Sequence, residues 1–125
     1  MSGRWLAIGA VLAALGVAMG AFGAHALKSH LTPDRLEVWK TATHYHLLHA
    51  VAVAFLGATI ATTLPGAETS LKLMTAGLVV FSGTLYLLCL SGVGWLGAIT
   101  PIGGLLMIAG WLTLAWAAWQ QSPRG

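Results

Sequence analysis

Four long apolar stretches separated by short polar breaks organise this chain. The first runs from Trp5 to His25 with no charge inside it. The second runs from Leu47 to Leu64 and stops at Pro65-Gly66. The third spans Leu71 to Leu90 with Lys72 at its edge, and the fourth runs from Ile99 or Pro101 to Trp119. Each is close to the roughly 20 residues a helix needs to cross about 30 Å of hydrocarbon. A helix pairs its own backbone polar groups, as lipid demands, and the alternation of barrel strands is missing. The pattern predicts an all-α integral membrane bundle of four transmembrane helices. It forms one domain over residues 1–125, with helices near 5–26, 33–64, 71–91 and 100–121.

Local chemistry sharpens the helix ends. Thr32-Pro33-Asp34 reads as N-cap, first-turn proline and an acid at the positive end of the helix dipole. A helix over 33–64 would be about 48 Å long. Its charged start (Asp34, Arg35, Glu37, Lys40) therefore lies outside the hydrocarbon, leaving 46–64 as the membrane part. Thr100-Pro101 repeats the cap signature for the fourth helix. The uncharged stretch Ser91–Ile99 is expected at the interface or dipping into the bundle. Small residues recur at helical spacing: Gly9, Ala13, Gly16, Gly20 and Gly23 on the first helix, and Gly103, Gly104 and Gly110 on the fourth. Such faces let helix backbones approach closely. They are read first as packing within the chain and second as a homo-oligomer contact.

Composition agrees. Hydrophobic residues make up 58% and charged residues 7% of 125, against about 25% charged in ordinary soluble domains. So few charges cannot cover a water-facing surface. The net charge of +3 includes no Lys/Arg run, which argues against a nucleic-acid partner and leaves membrane lipids. Cys89 is the single cysteine, so no intramolecular disulfide can form, and its apolar setting suits an inert thiol. Arg4 before an apolar run, with Ala24-His25-Ala26 after it, imitates a signal peptide. The run exceeds the 7–15 residues of a signal core, so a retained helix is expected. Arg4, Lys72 and Arg124 fall on the side holding both termini (side A). Lys28, Arg35 and Lys40 fall on side B, and the tie fixes no orientation.

Polar groups inside membrane segments are costly and default to functional candidates. Up-and-down topology puts His25, the run His44-Tyr45-His46 with His49, the group Ser82, Thr84 and Tyr86, and Thr100 all toward side B. A pocket there, lined by His25, Tyr45, His49, Ser82, Tyr86 and Thr100, is the candidate ligand site. Tyr45 and His49 are four apart and share a helix face, so the phenol could hydrogen-bond the imidazole. His46 and His49 are three apart and could chelate a metal. The commonest state of such histidines is satisfaction by a neighbouring carbonyl or water. Ligand binding ranks next, with metal, haem or catalytic use last. No Cys/His set completes a metal site, and no acid within the spans supports a relay, so no metal, cofactor or catalytic residue is assigned. Trp111, near mid-span, is read as packing.

Five ordered segments resemble the signatures of the YgdD-like family. They are GAFGAH (Gly20–His25), YHLLH (Tyr45–His49), FSGTLYLL (Phe81–Leu88), TPIGG (Thr100–Gly104) and AGW (Ala109–Trp111). These are small four-helix membrane proteins of unassigned function, related to a eukaryotic transmembrane family. The resemblance implies a bacterial cytoplasmic (inner) membrane protein. It matches His25, Tyr45, His49, Ser82, Gly83, Tyr86, Thr100, Pro101, Gly103 and Gly104. Relatives often carry glutamine at position 46 and no histidine at 44. It supplies no reaction or substrate. The expected function is binding of a lipid headgroup or small amphipathic ligand in the one-leaflet pocket, with transport as an extension. The alternative is a structural or accessory role, alone as a homo-oligomer or in a larger membrane complex, and the outsider is metal or haem binding.

Overall fold

A computed structural model describes residues 2–123, and Arg124 lies outside that range. The described chain is all helical: α1 (Ser2–Val17), a π-helical stretch (Ala18–Gly23), α2 (Ala24–Leu27), α3 (Pro33–Thr59), α4 (Ala67–Ser91) and α5 (Leu96–Gln120). The first three pieces form one rod, and Gly3–Leu27, α4 and α5 are each long and apolar enough to cross a membrane. α3 is the fourth long helix and the least apolar. Its buried residues, among them Trp39, Ala42, His46, His49, Val53 and Gly57, recur every three or four positions. This stripe faces neighbouring helices, so His46 and His49 are turned inward while His44 is exposed on the opposite side.

The helices pack as two antiparallel hairpins, α1 with α3 and α4 with α5, joined through α3 and α4. Glycines set the distance inside each hairpin. A Cβ on Gly9 would strike the backbone of Ala54, and one on Gly57 would strike Trp5. In the second hairpin, a Cβ on Gly103 would strike the Phe81 backbone, and one on Gly110 would lie 2.7 Å from Met74 Cγ. Gly16 and Gly23 are limited by side chains, Leu47 and Trp39. Gly20 meets Thr43 only at 3.7 Å and Gly104 meets Phe81 only at 3.9 Å. Those two are therefore not close-packing positions, against the sequence expectation. The glycine face of α1 is covered by α3.

Apolar clusters close both ends of the interior: Trp5, Val53, Leu71 and Met74 toward side A, and Trp39, Ala42, Tyr86 and Cys89 toward side B. Outward-facing positions are apolar as well, including Phe22, Phe55, Leu105 and Leu112. A water-soluble domain could not carry contiguous apolar surface on this scale. The chain is a multi-pass integral membrane protein.

Three helix boundaries differ from expectation. α3 ends at Thr59 rather than near 64. Thr59, Ile60, Thr62 and Thr63 are β-branched, and Pro65 disfavours a helical residue before it. The chain leaves through Ile60 (φ −119°). α4 begins at Ala67 rather than 71, behind Gly66 in the left-handed region (φ 94°) and with Glu68 in its first turn. α5 begins at Leu96, so Thr100 is inside the helix and not its cap. Turn bonds from Gly97 to Gly94 and from Ala98 to Trp95 already wind the chain. Pro101 then sits in the second turn of α5 and leaves the Gly97 carbonyl without its intrahelical donor.

The Thr75 hydroxyl is the one buried side-chain polar atom without a partner among the described residues. Thr75→Val should therefore raise stability by about 1 kcal/mol, because it deletes a desolvated, unpaired group. A higher thermal midpoint in detergent is expected, and a lower one would mean that the hydroxyl has an acceptor.

Candidate functional site

Buried polar side chains tie the helices together, and α3 is their hub. His46 bridges two neighbours: one ring nitrogen, Nε2, lies 2.7 Å from the Leu12 carbonyl of α1, and Nδ1 lies 2.8 Å from the Tyr86 hydroxyl of α4. A carbonyl can only accept, so Nε2 carries the proton and Nδ1 accepts from Tyr86. The Tyr86 ring packs on Trp39 with centroids 4.6 Å apart. Trp39 donates its indole N–H to the Met19 carbonyl at 2.8 Å, inside the π-helical stretch. A side chain reaching into the helix ladder is a recognised accompaniment of such distortion. Ser82 donates to the Ala42 carbonyl at 2.7 Å, and Cys89 donates to the Arg35 carbonyl. Thr84 and Thr100 share a 2.7 Å hydrogen bond between α4 and α5.

His49 faces another way. Three residues after His46, it is turned about 60° around the helix, toward α5. Trp111 donates its indole N–H to His49 Nε2 at 2.9 Å, so His49 Nδ1 carries the proton and donates to the Tyr45 carbonyl at 2.8 Å. His49 is only 4% exposed, and both its nitrogens are used. Beside it lies a half-open groove of about 410 Å³ between α3 and α5, floored by α4. Tyr45, Leu48, Phe81, Gly104, Ile108 and Trp111 line it with His49. The Tyr45 ring stacks over His49 and meets Phe81 edge-on at 5.0 Å.

The six sequence-predicted site residues therefore divide. Tyr45 and His49 share the α3/α5 groove. Ser82 and Tyr86 are four apart on the α4 face that meets α3, where Tyr86 serves the His46 bridge and Ser82 bonds the Ala42 carbonyl. Thr100 bonds Thr84 and the Leu96 carbonyl. His25 is exposed on α2 and joins none of these contacts. The single pocket expected from all six does not form, because the faces of α3 and α4 diverge once the helices pack. The expected hydrogen bond from the Tyr45 phenol to His49 is replaced by the Tyr45 carbonyl. His46 and His49 address different helices, so the chelate drawn from their spacing does not form. Sequence reasoning undervalued His46 and Trp111. The usable signal was that a mid-span indole N–H and imidazole each need a partner where water is absent.

The chain resembles the UPF0382 membrane protein YwdK of Bacillus subtilis, at 42% identity over 117 residues covering 91% of this chain and 94% of that protein. It likewise resembles the UPF0382 membrane protein SH2409 of Staphylococcus haemolyticus, at 42% identity over 110 residues covering 88% of this chain and 90% of that protein. No solved structure matches. A family model matches residues 19–104, from the π-helical stretch through the His46 bridge to Gly104. The chain belongs to the membrane protein family described as a protein of unknown function, DUF423.

Proposed function

We propose that this is a non-catalytic lipid-binding protein of the bacterial cytoplasmic membrane that holds an apolar chain in the α3/α5 groove. The carrying observation is that the groove is open while the imidazole and indole on its wall are already paired: both His49 nitrogens and the Trp111 N–H are bound within the protein, leaving the Tyr45 hydroxyl as the polar group at its edge. At about 410 Å³ it falls within the roughly 300–1,000 Å³ of small-molecule sites.

Depth favours a chain over a headgroup. In this reading all four long helices cross the bilayer. From Thr41 to Thr59, α3 is about 28 Å long at 1.5 Å per residue, close to one hydrocarbon thickness. His49 then lies about 12 Å inside from Thr41, and Trp111 about 13 Å inside from Gln120. A headgroup does not reach that level, but an acyl or other hydrocarbon chain does. Kinship with YgdD-like proteins and with a eukaryotic transmembrane family rests on the five motifs alone.

Gly104→Leu tests the reading. Gly104 lines the groove, and a Cβ there makes only ordinary contact with the Phe81 ring at 3.9 Å, so leucine at this position extends into the groove. A lipid with a photoreactive acyl chain should label the 45–49 and 104–111 segments of the wild type, and G104L should abolish that labelling at unchanged thermal stability. Uniform labelling of all lipid-facing positions, indifferent to G104L, would reject the groove. A structural or accessory role is the second reading, favoured by the fully paired His46–Tyr86–Ser82 interior. It predicts that G104L leaves cellular function intact.

A further inference from the structure

A second opening lies at the side-A end, away from the α3/α5 groove. A small cavity of about 80 Å³ sits where the start of α1, the α3–α4 loop and the first turn of α4 meet. Arg4, Trp5, Ala61, Thr62 and Glu68 line it. It thus holds a permanent cation and an acid on opposite helices, with a hydroxyl on the loop between them. The ion pair found among the described residues is Lys40 with Glu37, so Arg4 and Glu68 share the cavity without closing on each other. Trp5 beneath them is 8% exposed and gives the cavity a firm apolar floor.

Further along the same two helices lies an apolar groove of about 370 Å³, lined by Ala7, Ile8, Val11, Leu12 and Thr75. α1 and α4 run in the same direction with α3 between them. Ala7 follows Arg4 by one helical turn, and Thr75 follows Glu68 by two. The charged cavity therefore lies at the side-A end of the same two helices, one to two turns before the apolar groove that faces the lipid. A bilayer lipid has this division: a charged headgroup at the interface and a hydrocarbon chain below it.

From this we infer that the Arg4/Glu68 cavity is a headgroup site for a zwitterionic phospholipid with a primary ammonium, a phosphoethanolamine lipid, whose acyl chain lies in the α1/α4 groove. The phosphate accepts from the Arg4 guanidinium, which is suited to forked phosphate contacts, and from the Thr62 hydroxyl. The ammonium donates to the Glu68 carboxylate. A choline headgroup has no N–H to donate, and an anionic glycerol headgroup brings no cation to Glu68. Both are disfavoured by the same geometry. The site uses neither His49 nor Trp111, so it stands or falls separately from the α3/α5 groove.

The test is native mass spectrometry of the full chain in mild detergent, with equimolar phosphatidylethanolamine, phosphatidylcholine and phosphatidylglycerol carrying identical acyl chains. The wild type should retain one phosphatidylethanolamine about tenfold over either competitor, the scale of one charge-assisted hydrogen bond. Glu68→Gln and Arg4→Gln should each erase the preference. The exchange Arg4→Glu with Glu68→Arg should also lose it, because the headgroup then meets its charges reversed. A merely structural ion pair would survive that exchange with selectivity unchanged. Chain-free glycerophosphoethanolamine should compete poorly. Equal retention of the three lipids, preference for phosphatidylglycerol, an unaffected exchange variant, or full competition by the chain-free compound would each overturn the site. G104L should leave this selectivity intact.

Discussion

Gly103→Ala should unfold or grossly loosen the bundle, while Gly104→Ala, one residue on, should be close to silent. A Cβ on Gly103 would overlap the Phe81 backbone and approach the Gly77 carbonyl at 2.8 Å, whereas a Cβ on Gly104 finds only the end of the Phe81 ring at 3.9 Å. Backbone cannot rotate aside as a side chain can, so α4 and α5 must separate along their contact. Overpacking costs about 1–3 kcal/mol in well-packed cores, occasionally more. Here the upper end is expected, because Gly77, Gly103 and Gly110 set one continuous helix approach. Lipid tails are as apolar as the side chains, so close packing rather than water exclusion holds such helices together. Thermal unfolding in detergent should show a fall of about 3 kcal/mol for G103A and less than about 0.5 kcal/mol for G104A. Equal effects would mean that the α4/α5 contact is looser than described.

The second large effect is at His46. His46→Leu leaves the Tyr86 hydroxyl without its acceptor and the Leu12 carbonyl without its inter-helix donor, and it breaks the bridge from α1 through α3 to α4. Membrane hydrogen bonds contribute about 0.6–2 kcal/mol each, so losing both should cost about 2 kcal/mol. His46→Gln should recover most of this. The amide offers an N–H to Leu12 and a C=O to Tyr86, the same donor and acceptor that neutral histidine presents. Tyr86→Phe should cost less once His46 is already leucine, the non-additivity expected of direct partners. If H46Q proved as damaging as H46L, the bridge would be a packing contact and not a hydrogen-bonded one.

Features decided by local chemistry could be read from the sequence. The start of α3 was one: Thr32 caps the Arg35 N–H at 3.2 Å with Pro33 in the first turn, an arrangement within four residues of itself. The bilayer-length apolar runs were another, since lipid imposes the same length on every span. Misread features depended on tertiary neighbours. Thr100-Pro101 has cap chemistry but lies within α5, where Thr100 bonds Thr84 instead. The π-helical stretch carries no local signature, and its contact is Trp39, twenty residues from Met19. Above all, His46 and His49 differ by about 60° around one helix. That turn sends one to α1 and α4 and the other to α5, a choice invisible until the helices are placed. The charged cavity at Arg4 and Glu68 joins two positions 64 residues apart, so the sequence offered no pairing signal for it.

The bridge and the α3/α5 groove both require α3 to cross the bilayer with His46 and His49 facing inward. The direct test is spin-label depth measurement in liposomes, using single cysteines in a Cys89→Ser background at Val51, on the exposed face of α3, and at Glu37, in its charged start. A label at Val51 should be relaxed by lipid-dissolved oxygen and shielded from a water-soluble nickel chelate, with the reverse at Glu37. Ready access of the nickel chelate to Val51 would place α3 outside the hydrocarbon and contradict the account.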